Sequence, residues 1–210
     1  MLILPPLYAI ANVDDHKEPL NYLEQLFAAG VTWIQIRAKI TPIDRLESLV
    51  TRALALAPSH AKLLINDSVD LCLATGAHGV HLGQSDAHPS QARAMLGAAA
   101  IIGLSTHNAE DAARAQQEPV DYIGCGPIFR SSTKQGHAPE LGVERLRAIC
   151  ERSKLPVVAI GGITCKNARP VFEAGASAVA VIAELANSPS LAETVLDFVR
   201  AKDPLLSTHR

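Results

Sequence analysis

The residues best suited to chemistry in this chain are cations, hydroxyls and carboxylates placed at the ends of short apolar runs. In Trp33-Ile34-Gln35-Ile36-Arg37-Ala38-Lys39 a strand's period of two puts Gln35, Arg37 and Lys39 on one face and Ile34, Ile36, Ala38 and Ile40 on the other. Two cations on the inner face of a closed sheet are costly unless an anion compensates them, so this face reads as an anion site. The plainer reading is charges fanning into solvent, or a salt bridge to Asp67. Asn66-Asp67 ends the apolar run that begins at Lys62, and Gly83-Gln84-Ser85-Asp86 follows the run through His81. Alone, Asp67 reads as a cap for a helix starting near Ser68, and Asp86 as the start of a turn before Pro89. Together, beside Arg37 and Lys39, they suit one Mg²⁺, which takes one or two carboxylates, several waters and substrate phosphate.

Ser105-Thr106-His107 offers hydroxyls for phosphate oxygens or for a helix cap, and both His107 and His81 read as structural histidines. Ser131, Ser132, Thr133 and Lys134, in the polar stretch Phe129–Leu141, suit a phosphate clamp or an ordinary solvated loop. Gly161-Gly162 lets backbone N–H groups approach an oxyanion, or simply satisfies a tight turn. At Val181-Ile182-Ala183 only the backbone can contribute. No nucleophile–base pair stands out, so the set is one that holds phosphate groups and stabilises a leaving anion electrostatically.

Eight short apolar runs must position these groups. They begin near Leu7, Trp33, Lys62, Gly79, Ala100, Asp121, Pro156 and Ala178, about 24 residues apart, enough for a strand, a helix and two short loops. Between them lie helix-period segments with recognisable ends. Pro19–Ala29 stops at Gly30, Pro42 suits the first turn of the next helix, and Asn108 caps one from Ala109. Asn167–Ala174 stops at Gly175, and Ser190–Ala201 is the last. Strands alternating with helices predict a parallel sheet. Eight similar units, with no Gly-rich turn after the first strand, favour a (β/α)₈ TIM barrel over an open doubly wound sheet, as a single domain spanning 1–210.

Composition removes several other functions. The chain has 210 residues, 48% hydrophobic and 19% charged, which is a folded rather than a disordered composition. A net charge of −2 gives no basic field for nucleic acid or an anionic membrane, and 4% aromatics argues against base-stacking platforms. Cys72, Cys125, Cys150 and Cys165 form no CxxC pair and read as reduced thiols. With no signal-peptide pattern and no apolar run near the ~18–20 residues of a membrane span, the expectation is a cytoplasmic protein acting on small molecules. A homo-oligomer is compatible with all of this.

The ordered set Gln35-Ile36-Arg37-Ala38-Lys39, Asn66-Asp67, Gly79-Val80-His81-Leu82-Gly83-Gln84-Ser85-Asp86, Gly103-Leu104-Ser105-Thr106-His107, Gly124-Cys125-Gly126-Pro127-Ile128-Phe129, Ser131-Ser132-Thr133-Lys134 and Ala159-Ile160-Gly161-Gly162-Ile163 resembles the thiamine phosphate synthase family from Leu7 to about Leu185. The resemblance implies a transferase that couples 4-amino-2-methyl-5-hydroxymethylpyrimidine diphosphate to a thiazole phosphate, releasing pyrophosphate before the thiazole nitrogen attacks. It implies Mg²⁺ at Asp67 and Asp86, and the pyrimidine diphosphate held by Gln35, Arg37, Lys39, Asn66, Ser105 and Lys134. Of these, Arg37, Lys39, Ser105 and Lys134 would be catalytic. Thiazole phosphate would meet Ser131, Ser132, Thr133, Gly161, Gly162 and the backbone at Ile182 and Ala183. The chain departs from the family pattern at Ala38, often Glu; Ser131, often Thr; Ala183, often Ser; and Ala11-Asn12, often Thr-Asp. The rival of the same fold is a thiazole tautomerase, whose pattern tends to lose the carboxylate present here as Asp86.

Overall fold

The computed structural model describes residues 2–130 and 139–203. Its centre is a closed barrel of eight parallel strands in sequence order. They are β1 (Leu7–Asn12), β2 (Trp33–Arg37), β3 (Lys62–Asn66), β4 (Gly79–Leu82), β5 (Ile101–Thr106), β6 (Tyr122–Cys125), β7 (Val157–Ile160) and β8 (Ala178–Val181). Closure is made by β8 against β1, with Leu7 opposite Val179 and Ala9 opposite Val181. The helices are α1 (Pro19–Ala28), α2 (Ile43–Leu56), α3 (Val69–Thr75), α4 (Pro89–Leu96), α5 (Ala109–Ala115), α6 (Gly142–Arg152), α7 (Ala168–Glu173), α8 (Ala183–Ala186) and α9 (Leu191–Lys202). The predicted TIM barrel is therefore the observed architecture.

Five strands begin at the residue the sequence indicates. β5, β6 and β7 begin one residue later, at Ile101, Tyr122 and Val157. The residues before two of them have other tasks. Asp121 turns its carboxylate to the Ile102 N–H and to Arg93, and Pro156 has no N–H to give the ladder.

Alternation along the strands sorts side chains into two cores. Leu7, Ala9, Ile34, Ile36, Leu63, Ile65, Val80, Ile123 and Val179 point outward and join the helices in the larger one. Tyr8, Ile10, Trp33, Leu64, Tyr122, Val158, Ala178 and Ala180 fill the barrel, with Leu4 packed in the same cluster from the N-terminal side. The interior aromatics meet edge to face, Tyr8 to Trp33 at 5.7 Å and Trp33 to Tyr122 at 6.2 Å between ring centroids. Such pairs add about 0.5–1.5 kcal/mol each beyond area burial. Room for them comes from small residues on the inner face of neighbouring strands. A Cβ on Gly103 would lie 2.1 Å from Tyr122 Cζ and 2.5 Å from His81 Nδ1.

Four local expectations are corrected. Ile40 does not face the helices but is 82% exposed, because β2 stops at Arg37 and the chain turns away. Pro42 is the N-cap of α2 rather than its first helical residue. Ser68, not Asp67, caps α3, its Oγ accepting the Leu71 N–H at 3.2 Å. The short helix α8 was not anticipated; Ile182 and Ala183 open it. Asn108 does cap α5, its Oδ1 accepting the Asp111 N–H at 2.7 Å.

Candidate active site

The inner-facing residues at the C-terminal ends of β2, β3, β4 and β5 converge on one mouth. Arg37 and Asn66 are the last residues of β2 and β3, and Asp67 and Asp86 follow just beyond β3 and β4. Lys39 reaches Asp67, Nζ to Oδ2, at 2.7 Å. The salt bridge weighed as the plain reading is therefore present, and it brings the cation to the carboxylates rather than away from them. Arg37 Nη1 donates to Asn12 Oδ1 at 3.1 Å. Asn12 is neutral, so the guanidinium keeps its charge uncompensated by this partner.

Asp67 and Asp86 are close enough to influence each other's ionisation. Burial pushes the Asp86 carboxyl above its ordinary value, Gly83 N–H pulls it down, and neighbouring Asp67 pushes it up again. Burial also opposes ionisation of Asp67, but hydrogen bonds from Lys39 and Asp86 and the Lys39 charge outweigh it and hold that carboxyl below its ordinary value. Two oxygen donors forced together and partly neutralised by a lysine form a fit place for a hard divalent cation. Asp86 also closes a turn, accepting the Gly83 N–H at 2.7 Å, so its turn reading and its ligand reading coexist. Asp67 has φ 65°, a left-handed conformation rare outside glycine, and its N–H donates to His81 O at 2.9 Å. Such strain at a side chain turned into a mouth is common at functional positions. Among the described residues no group of three or more His, Cys, Asp or Glu side chains is placed to hold a metal ion.

Sequence reasoning missed the groups that orient these residues. Asp14, in the turn after β1, accepts the N–H of Lys39 at 2.5 Å, of Ile40 at 3.2 Å and of Thr41 at 3.0 Å. It thereby sets the segment carrying Lys39. Gln84 Nε2 donates to the Ser105 carbonyl. Inside the barrel, Gln35 Nε2 donates to Tyr8 OH at 3.1 Å, and Tyr8 OH meets Tyr122 OH at 2.9 Å. His81 then bridges Tyr122 OH and Ser105 Oγ, each at 2.9 Å. Burial lowers the His81 pKa to about 4, with Asp67 opposing, so the ring is neutral at pH 7. The structural reading of His81 holds. His107 stays at the surface, its Nδ1 3.7 Å from Asp111. The signal for Tyr8 and Tyr122 was present as alternation within their strands, but nothing local links two strands 114 residues apart.

On the opposite rim Gly161 and Gly162 have φ 102° and 63°, and an added Cβ would meet Pro127 at 2.6 Å or the Arg130 carbonyl at 2.5 Å. The glycines let β7 run under the start of the loop after β6. Ser131, Ser132, Thr133 and Lys134 lie outside the described residues.

The cysteines offer no nucleophile. Cys125 faces the outer core, fully buried, and burial pushes its thiol up to about 12. Cys125→Ser is expected to leave turnover per folded molecule within about tenfold, since a thiol this far from ionisation supplies no thiolate. A folded variant with no activity would require a covalent step.

A closed (β/α)₈ barrel whose cations, hydroxyl and carboxylate pair gather at the C-terminal mouth belongs to the class that places its chemistry on that face. The family description "Thiamine monophosphate synthase" matches residues 7–185. Relatives named thiamine-phosphate synthase include one from Koribacter versatilis, 42% identical over 90% of this chain and 92% of its own, and one from Albidiferax ferrireducens, 45% identical over 74% and 72%. The solved thiamine phosphate pyrophosphorylase from Pyrococcus furiosus superposes with a TM-score of 0.85 at 31% identity, covering 95% of this chain and 96% of that one. This chain belongs to the thiamine monophosphate synthase family and is a transferase of that kind. No helix among the described residues is long and apolar enough to cross a membrane.

Proposed function

We propose that the mouth couples 4-amino-2-methyl-5-hydroxymethylpyrimidine diphosphate to a thiazole phosphate, giving thiamine phosphate and pyrophosphate, with Mg²⁺ held by Asp67 and Asp86. One juxtaposition carries this reading: two interacting carboxylates, with Lys39 on one of them, beside Arg37 at the same rim. Such a site favours the departure of a polyanion and asks for no protein nucleophile. The divalent ion, when bound, neutralises charge that builds on the leaving diphosphate. Arg37, Lys39, Ser105 and Lys134 bind the same group. Gln35 and Asn66 orient the pyrimidine. Ser131, Ser132, Thr133, Gly161, Gly162 and the backbone at Ile182 and Ala183 take the thiazole phosphate. Interior aromatics and the closed barrel exclude water from below, so the reactive carbon meets the thiazole first. The setting in this reading is the cytoplasm, with one barrel domain over the whole chain and small molecules as the only partners required.

Pyrophosphate release is the deciding measurement. It is expected only with both substrates and Mg²⁺ present. Release that is indifferent to Mg²⁺ would remove the metal from the reading. No release, with isomerisation of the thiazole alone, would replace the synthase by the tautomerase.

A further inference from the structure

Three successive carbonyls at the end of β7 are each held by a donor. Ile160 O and Gly161 O accept the N–H groups of Ile128 and Phe129 at 2.9 and 3.0 Å, and Gly162 O accepts Asn167 Nδ2 at 3.0 Å. The Asn167 amide has only one possible orientation. Its Oδ1 accepts the Thr164 N–H at 2.7 Å. A backbone N–H can only donate and a backbone carbonyl can only accept, so the two ends of the amide cannot be exchanged. Asn167 stands at the start of α7 yet gives that helix no side-chain cap. Both ends of its amide are spent on the turn that follows β7.

In a trans peptide the N–H lies opposite the C=O of its own unit, and both units here are trans. Gly162 N–H is therefore turned away from the loop after β6 and toward the side of β8, which flanks β7 on its other edge. Ile163 N–H is turned away from Asn167. Neither N–H has an acceptor among the described residues. Successive N–H groups left free in such a turn are the backbone's own form of an anion site.

We propose that Asn167 is a positioning residue for phosphate, holding the Gly162 carbonyl so that the Ile163 N–H joins the Gly162 N–H as a donor to the anion. Thiazole phosphate as the carrier of that anion is taken from the proposed function, on which this specificity rests. Without the Asn167 amide the Gly162–Ile163 peptide could turn over at little steric cost, because glycine accepts either sign of φ. The turned peptide would set a carbonyl oxygen against the phosphate in place of an N–H.

Gly162–Ile163 is the only Gly-Ile pair in the chain, so labelling with ¹³C-carbonyl glycine and ¹⁵N-isoleucine gives that peptide a resonance of its own. In the full chain this resonance is expected to shift saturably with inorganic phosphate. Asn167→Ala is expected to weaken the apparent phosphate affinity by at least about tenfold, the scale of one misdirected polar contact. A wild-type resonance indifferent to phosphate overturns the proposal, whether or not the variant folds. Equal affinity in the wild type and a folded Asn167→Ala variant overturns the role of Asn167. Kinetics separate positioning from general support of the fold. The loss in Asn167→Ala is expected in KM for thiazole phosphate, at least about tenfold, with KM for the pyrimidine diphosphate moved less than about twofold. A parallel loss for both substrates, or an equal loss with the thiazole alcohol that lacks the phosphate, would make Asn167 a merely structural residue. Failure of pyrophosphate release, with the phosphate response and its dependence on Asn167 intact, would instead count against the proposed function alone.

Discussion

Asp86→Asn is expected to lower turnover by at least about 10²-fold at saturating substrates while leaving the protein as stable as before, or more so. The size follows from losing one charged group that acts on a developing anion in a partly buried site. The stability half follows from the direction of the carboxyl's shift. Burial and Asp67 hold Asp86 above its ordinary value, so its ionised form is disfavoured in the folded chain relative to the unfolded one. That penalty is absent below the ordinary carboxylate range and fully present once pH has risen through the folded value. At neutral pH the asparagine variant escapes it, and its amide oxygen can still accept the Gly83 N–H that closes the turn. Melting curves at pH 7 and below pH 4, beside rates across a Mg²⁺ titration, check both halves. Near-wild-type rates at saturating Mg²⁺ would remove Asp86 from the site. A large loss of melting temperature would make it a structural residue.

Gly103→Ala is expected to cost about 3 kcal/mol or more, at the upper end of what overpacking does, or to prevent folding. The position is on the inner face of β5, and the new methyl would overlap the Tyr122 ring and lie 2.5 Å from His81 Nδ1. Neither neighbour is a flexible side-chain end. Tyr122 is completely buried against Tyr8 and Trp33, and His81 is bonded at both ring nitrogens. Whatever folded fraction remains must displace the series that ends at Ser105, so activity per folded molecule falls as well. Urea unfolding and rates normalised to folded protein test this. A midpoint close to wild type would mean that the barrel interior is looser than its contacts indicate.

The strands were legible because each is a short apolar run at a nearly regular interval, and such runs can satisfy their backbone only by pairing with their neighbours. The inward set Gln35, Arg37 and Lys39 was legible as far as Arg37, where β2 ends. Alternation fails beyond a strand's last residue, which is why Ile40 is exposed and Lys39 is placed by Asp14. Asp67 and Asp86 were legible as residues just past two neighbouring strands. Their mutual influence on ionisation was not, since it depends on a left-handed Asp67 and a turn closed by Asp86. Nothing in the sequence joins Tyr8 to Tyr122; their hydroxyls meet only because the closed barrel sets β1 across from β6, and glycine at 103 and 124 leaves room for Tyr122 and His81.

By itself the sequence determined the repeating strand–helix unit, the parallel closed architecture, the polar residues at the strand ends and the family to which they correspond. Those are properties of local periodicity and of residue order. Tertiary structure decided which of those residues touch, which cation sits on which carboxylate, and how the interior hydroxyls and imidazole are joined. These are distances between groups far apart in the chain, and closure of the barrel alone fixes them.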